Sequence, residues 1–379
     1  MAITDRNTVL VLGAGATASF DYPLGSSLIS NISDQISNEV ASIYGRDDWG
    51  SNELRQNLLS ASRSPDGFNR FPIHGAAARR HLHENKRDFE ADPMNVDLER
   101  IKELQQLVSN QTSETIDDFI VENPSYSDLT KIAIAADFIK RSYKIENGAL
   151  RAHAFEARYW KSEKTRREER NWIHLLINIV RHGIRSGAVS ADNKVEIVTF
   201  NYDTVLERVL AMQFSNTESR HPDYSDYISI LHVHGKCGEI SDIFPDPAQT
   251  CINWSEQINV VNEGSVPDSV MASRTIAKEK IRSAAEIYFC GFSFSGPNCR
   301  LIGLGEPTGE GRTRQISVCN YDGNVGVSKT VSGYREEPRP GASTKRPIFT
   351  RVEEASGTID KPLGISDWLK LGYLGELPG

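Results

Sequence analysis

Cysteine is scarce and scattered: five residues in 379, at positions 237, 251, 290, 299 and 319. No two carry the two-residue gap of a zinc knuckle, and the set is too sparse for a disulfide framework, so a reduced, cytoplasmic protein is expected. Long apolar runs are missing as well. The longest, such as Val9–Leu12 leading into Gly13–Ala16, fall far short of the ~20 residues that span a bilayer. The first seven residues, MAITDRN, have no basic stretch leading into an apolar one, so no signal peptide is expected. The chain contains no G-x-x-x-x-G-K-[ST] loop, no internal repeat and no low-complexity tract. Positive charge is in deficit, 43 Lys+Arg against 51 Asp+Glu for a net charge of −8. That argues against a basic field for nonspecific nucleic-acid binding, while a local patch remains compatible with it.

What is present fits a globular protein of about two domains, or one large domain with an insertion. Thr8–Leu12 is a continuous apolar strand of the kind buried on both faces of a parallel sheet, and it stops at Gly13. Apolar residues recur at helical spacing from Leu24 to Tyr44. Residues 46–190 read as a helical insertion, with helices at Val96–Ser109, Ile116–Val121, Leu129–Tyr143 and Trp172–Ile184 and no convincing strand; Lys161–Arg170 reads as a solvated helix face. Strands return at Val195–Phe200, Ile228–Val233, Ile287–Cys290 and Gln315–Cys319, separated by helical stretches at Val205–Leu210 and Val270–Ala285. Short apolar strands alternating with helices describe β-α-β units, hence an α/β fold with a Rossmann-like parallel sheet. Beyond residue 322 the chain turns rich in Gly, Pro, Ser and charge, as in Ser332–Pro347. Residues 323–379 are therefore expected to form an extension or arm, whose Ile365–Leu374 end docks on the body or on a neighbouring subunit.

Four short segments carry the chemistry. Gly13-Ala14-Gly15-Ala16-Thr17-Ala18 fits G-x-G-x-x-G/A directly after a strand, where small residues admit a pyrophosphate; small residues packing a tight turn give the same pattern. Thr199-Phe200-Asn201-Tyr202-Asp203 leaves a strand at its carboxyl end, where doubly wound sheets bind ligands and where Asn and Asp also cap helices. His232-Val233-His234-Gly235 ends another strand, its two imidazoles sharing one strand face without an evident third metal ligand. Gly291-Phe292-Ser293-Phe294 supplies a glycine and a hydroxyl after a fourth.

Taken together and in this order, with Tyr22-Pro23-Leu24-Gly25 after the first turn, these segments resemble the sirtuin-like fold of the divergent bacterial branch found in anti-phage defence. Ile116–Ile120, Asn123-Pro124 and Lys131–Ala135 resemble that branch's helical insertion, and the resemblance covers about residues 7–322. It implies a sirtuin-like NAD-binding domain over 1–322. Gly13, Ala14, Gly15 and Ala16 would line the pyrophosphate, Pro23 would sit in a mobile loop near nicotinamide, and Thr199, Asn201 and Asp203 would lie by the nicotinamide ribose. His234 would be the catalytic base, with Asn201 the other catalytic residue; Gly291, Ser293 and Asn320 would hold the adenosine side. Sirtuin deacylases carry two C-x-x-C pairs after the HG motif, whereas here Cys237 and Cys251 stand alone, so no zinc is expected. The resemblance then implies an NAD+ glycohydrolase that releases nicotinamide and ADP-ribose, or a cyclic product if a ribose hydroxyl attacks. It further implies an effector that depletes NAD during phage infection, working as a homo-oligomer or beside a partner such as a HerA-type ATPase or a short Argonaute. A protein deacylase and a noncatalytic NAD or ADP-ribose sensor are the alternatives.

Overall fold

The computed structural model describes residues 8–20, 22–44, 58, 68, 70–84, 93–113, 115–146, 149–152, 172–215, 223–237, 243–244, 246–261, 266–304, 314–320, 325–335 and 349–356. The chain divides into two compact units, one formed by Met1–Asp21, Ser162–Gly235 and Gly264–Gly379, the other by Tyr22–Lys161 and Lys236–Glu263.

The first unit is built on a parallel sheet of six strands: β1 (Thr8–Leu12), β4 (Val195–Thr199), β5 (Ile228–His232), β7 (Glu286–Cys290), β8 (Arg314–Asn320) and β9 (Phe349–Ser356). Their spatial order is β5-β4-β1-β7-β8-β9. Numbered by appearance within this sheet, that is 3-2-1-4-5-6, the doubly wound order of dinucleotide-binding folds. The chain winds outward from β1 to one side, then returns to the other side of β1, leaving a switch point between β1 and β7. All five residues of β1 are buried, as its unbroken apolar sequence requires. Val9, Val11, Val198, Ile287, Phe289, Ile316 and Val318 join side chains of the covering helices in one core. Those helices are α9 (Asp268–Ser283), α10 (Gly296–Leu301) and α11 (Val325–Arg335); α6 (Trp172–Ser186) and α7 (Val205–Ser215) belong to the same unit. Helix α6 shows the expected stripe, with Trp172, Ile173, Leu176, Ile177, Val180 and Gly183 turned inward.

The second unit is mainly helical: α1 (Gly25–Tyr44), α2 (Pro72–Glu84), α3 (Pro93–Ser109), α4 (Ile116–Glu122), α5 (Ser127–Ser142) and α8 (Pro247–Ser255). The apolar stripe of α1 packs on α3 and α5. Arg80 and Arg100 both bind Asp97 and Asp128, closing a four-membered ionic ring that ties α2, α3 and α5 together. Glu39, buried in α1, caps the start of α2 by accepting hydrogen bonds from the Ile73 and His74 amides and from His74 Nδ1, the last at 2.8 Å.

Three expectations change. The helical unit begins at Tyr22 rather than near 46, ends at Lys161 rather than 190, and takes in a second segment after residue 235. Within 46–190, where no strand is expected, β2 (Tyr143–Glu146) and β3 (Ala149–Ala152) pair antiparallel, and β6 (Ile243–Phe244) adds to β3. The region beyond 322 is more than an arm, because α11 packs on β8 and β9, and β9 extends the parallel sheet in register with β8. The segments Lys161–Arg170 and Ile365–Leu374 lie outside the described residues. No described helix is long and apolar enough to cross a membrane.

Candidate functional site

The parallel register sets one transverse row across the sheet: His232, Thr199, Leu12, Cys290 and Cys319 are successive partners. The residues that follow this row leave the sheet from one edge, the carboxyl ends of the strands. Four separate sequence segments thereby converge within the first unit.

The turn after β1 is short-range and tight. Ala14–Ala16 and Ala18–Phe20 are single 3₁₀ turns, with Gly13 extended before them. The Gly13 amide donates to the Cys290 carbonyl at 3.0 Å and the Gly15 amide to the Gly291 carbonyl at 3.1 Å. A Cβ on Gly13 would stand 2.4 Å from the Gly291 oxygen, and one on Gly15 would stand 2.7 Å from the Gly291 Cα. Gly291 itself has φ +61 and would collide with Gly15 at 2.4 Å. Close approach of the two loops at the switch point therefore accounts for all three glycines. The amides of Ala16 and Thr17 bond to Gly13 and Ala14 carbonyls, so the packed turn accounts for Gly15, Ala16 and Thr17 amides alike. Trp172 Nε1 donates to the Ala16 carbonyl at 3.1 Å and locks the turn against α6.

Thr17 is the hub of the polar cluster. Its hydroxyl donates to Asp203 Oδ2 at 3.0 Å and accepts from Asn201 Nδ2 at 3.3 Å. A hydroxyl has one proton, so with that proton on Asp203 the Asn201 NH₂ end must face Thr17, which fixes the carboxamide's orientation. Asp203 Oδ1 takes the Val205 amide at 3.1 Å, so one carboxyl oxygen caps α7 while the other joins the network. The Asn201 amide is held by Thr199 Oγ1 at 3.1 Å. Burial drives the Asp203 carboxyl up from 3.8 to about 6, against the lowering effect of the Val205 and Thr17 hydrogen bonds. Its proton thus moves close to neutral pH.

The two histidines at the end of β5 have different surroundings. His234 is 2% exposed. It lies edge-on to Phe200 at 5.2 Å between ring centroids, 5.9 Å from Tyr202, and 3.3 Å from Asn298 Oδ1 through Nε2. The residue before it is pinned by buried Arg274, whose Nε donates to the Val233 carbonyl at 2.8 Å. His232 instead reaches the Asn201 carbonyl through Nδ1 and Glu207 of α7 through Nε2. Phe200 and Tyr202, the neighbours of Asn201 on either side, face His234, while Asn201 itself faces Thr17.

The remaining sequence candidates are more dispersed. Ser293 is exposed between Phe292 and Phe294, whose rings fill the core; Phe294 holds φ 57, a left-handed backbone unusual for a bulky residue. Asn320 is buried at the end of β8 and donates to Ser328 of α11 at 3.2 Å. It stands three strands from β4, about 14 Å across the sheet at ~4.8 Å per strand. Pro23 belongs to the helical unit. Cys251, in that unit too, gives its thiol to the Ile132 carbonyl at 3.3 Å, and burial pushes the thiol far up, keeping it protonated. Among the described residues no group of three or more His, Cys, Asp and Glu is disposed to hold a metal ion. Sequence reasoning missed Thr17, Asn298, Glu207 and Trp172 as participants. Only Thr17 carries a signal, as the single hydroxyl in a turn of Gly and Ala.

No protein-family model matches the chain, and no curated protein matches it.

Proposed function

We propose that the first unit is an NAD+ glycohydrolase that cleaves the nicotinamide–ribose bond and yields nicotinamide and ADP-ribose. The observation that carries this reading is the meeting of the Asn201 carboxamide and the Asp203 carboxyl on the Thr17 hydroxyl at the carboxyl end of β4, with His234 following the adjacent strand β5. They lie beside the β1 turn of a sheet with dinucleotide-type strand order. Fold alone does not specify chemistry; the side chains suit this one. Departure of a pyridinium from ribose passes through an oxocarbenium-like state. Asn201, oriented by Thr17, offers a carbonyl oxygen that directs water or a ribose hydroxyl without adding a charge. His234 is the proton acceptor in this reading. Asp203 balances the developing positive charge when ionised. Gly291, Ser293 and Asn320 extend along the same sheet edge toward the adenosine half. In this reading the enzyme is a cytoplasmic effector that removes NAD+ when an infection-linked trigger arrives, as a homo-oligomer or with a separate ATPase or Argonaute subunit.

The test is nicotinamide release from NAD+ by the purified chain, alone and with the products of neighbouring genes. Asn201→Ala and His234→Ala, once shown to be folded, are expected to lose about 10²-fold or more of kcat. Tight NAD+ binding without release under every condition would replace the enzyme reading by that of a sensor. Wild type and both variants behaving alike would remove the assigned site.

A further inference from the structure

We infer that His232 is a positioning residue: it acts through Asn201 by gripping that residue's backbone, with Glu207 gripping the ring in turn. The inference rests on the NAD+ reading for its kinetic consequence, but its structural content is independent of it.

His232 Nδ1 lies 3.1 Å from the Asn201 carbonyl oxygen, and Nε2 contacts Glu207 Oε1. Both partners are acceptors, a peptide oxygen and a carboxylate, so each ring nitrogen faces an acceptor and the ring spans the two. The two side chains are 10% and 15% exposed. Glu207 is the third residue of α7, where a carboxylate is favoured by the helix dipole. The ring therefore bridges the last residue of β5, the first turn of α7 and the loop between β4 and α7.

Asn201 is consequently held from three directions. Thr199 Oγ1 takes its amide, Thr17 takes its side-chain NH₂, and His232 takes its carbonyl. Thr199 and His232 are register partners in the sheet, so two of the three anchors sit on one rigid row. A group that must direct water or a ribose hydroxyl has to be held in place, and a misplacement of about 1 Å costs on the order of 10²-fold in rate.

Two near-isosteric substitutions separate the two grips. In His232→Asn the amide nitrogen occupies the place of Nδ1 and keeps the Asn201 bond. In His232→Gln it occupies the place of Nε2 and keeps only the Glu207 bond. The experiment measures amide hydrogen exchange over residues 199–205 in the full chain, together with kcat and KM for nicotinamide release. Exchange is expected to rise at least about fivefold in His232→Gln and to stay within about twofold of wild type in His232→Asn. Likewise kcat should fall about tenfold or more only in the Gln variant, with KM within about twofold in both. Equal exchange in the two variants, or equal kcat in variants that do release nicotinamide, overturns the proposal. Exchange that separates them in a chain releasing no nicotinamide, alone and with the products of neighbouring genes, sustains the grip on Asn201 and refutes the NAD+ reading instead. Should the Gln variant not fold, Glu207→Leu removes the ring's second anchor, and unchanged exchange over 199–205 in that variant also overturns the proposal.

Discussion

The Thr17 hydroxyl and the Asp203 carboxylate meet at 3.0 Å although 186 positions separate them in the chain. Both are buried, at 4% and 7% exposure, so neither has water to fall back on. Thr17→Val keeps the shape and removes both a donor to Asp203 and an acceptor for Asn201. Each orphaned group costs ~1–3 kcal/mol, so urea denaturation should show a loss of about 2–4 kcal/mol. Thr17→Ser should retain most of the stability.

Two carboxyls give opposite pH signatures. Asp203 titrates near 6 in the folded protein instead of 3.8. Between those values the native state binds more protons than the unfolded one, so this group's contribution to stability falls as pH rises from about 4 to 6, by roughly 3 kcal/mol in all. Asp203→Asn abolishes that slope, and the unfolding free energy of the variant minus that of wild type should increase through this window. Asp128 has the other sign. Burial would raise it, but hydrogen bonds and charge from Arg100 and Arg80 outweigh burial and hold its carboxyl below the ordinary value. Its stabilisation is present above the normal carboxylate range and is lost as pH falls through it, so Asp128→Asn should flatten the acid limb of the same curve.

Substitution of the glycines distinguishes contact from flexibility. Gly15→Ala and Gly291→Ala drive a methyl into backbone at 2.7 and 2.4 Å, with φ +61 adding strain at the second. Losses of about 3 kcal/mol or more, or insoluble protein, are expected. At Gly25 a Cβ meets nothing within 4 Å. Gly25→Ala should therefore stay within about 0.5 kcal/mol of wild type, with urea denaturation of all three variants as the check.

Glu39→Ala strips the start of α2 of its acceptor and leaves His74, which is 0% exposed, without the partner of its Nδ1. A loss of about 2–4 kcal/mol is expected, since a buried hydrogen-bond acceptor of His74 is removed along with a helix cap. Glu39→Gln, which still accepts through one oxygen, should cost less.

The alternation of strands and helices was legible for β1, β4, β5, β7 and β8, because sheet strands are written as short apolar runs such as TVLVL and IYFC. The strand-end location of Asn201, His234 and Gly291 followed from the same runs. What escaped was information held by partners. Strands β2 (YKIE) and β3 (ALRA) have four residues each, too few for a period to show. Helix α11 (VGVSKTVSGYR) carries two glycines that lower its helix propensity, and packing on the sheet outweighs that. The apolar stripe of α1 announced that it would be covered, without saying whether by sheet or by helices. Likewise Thr17 looked like one more small turn residue until Asn201 and Asp203 were brought to it from 184 and 186 positions along the chain.

The row joining His232, Thr199, Leu12, Cys290 and Cys319 has an evolutionary corollary. Insertions in the connecting loops leave its alignment intact, whereas deleting one residue inside β4 would retract Asn201 and Asp203 by a pleat and turn them to the opposite side. Length variation among related chains should therefore accumulate between strands and be nearly absent within them.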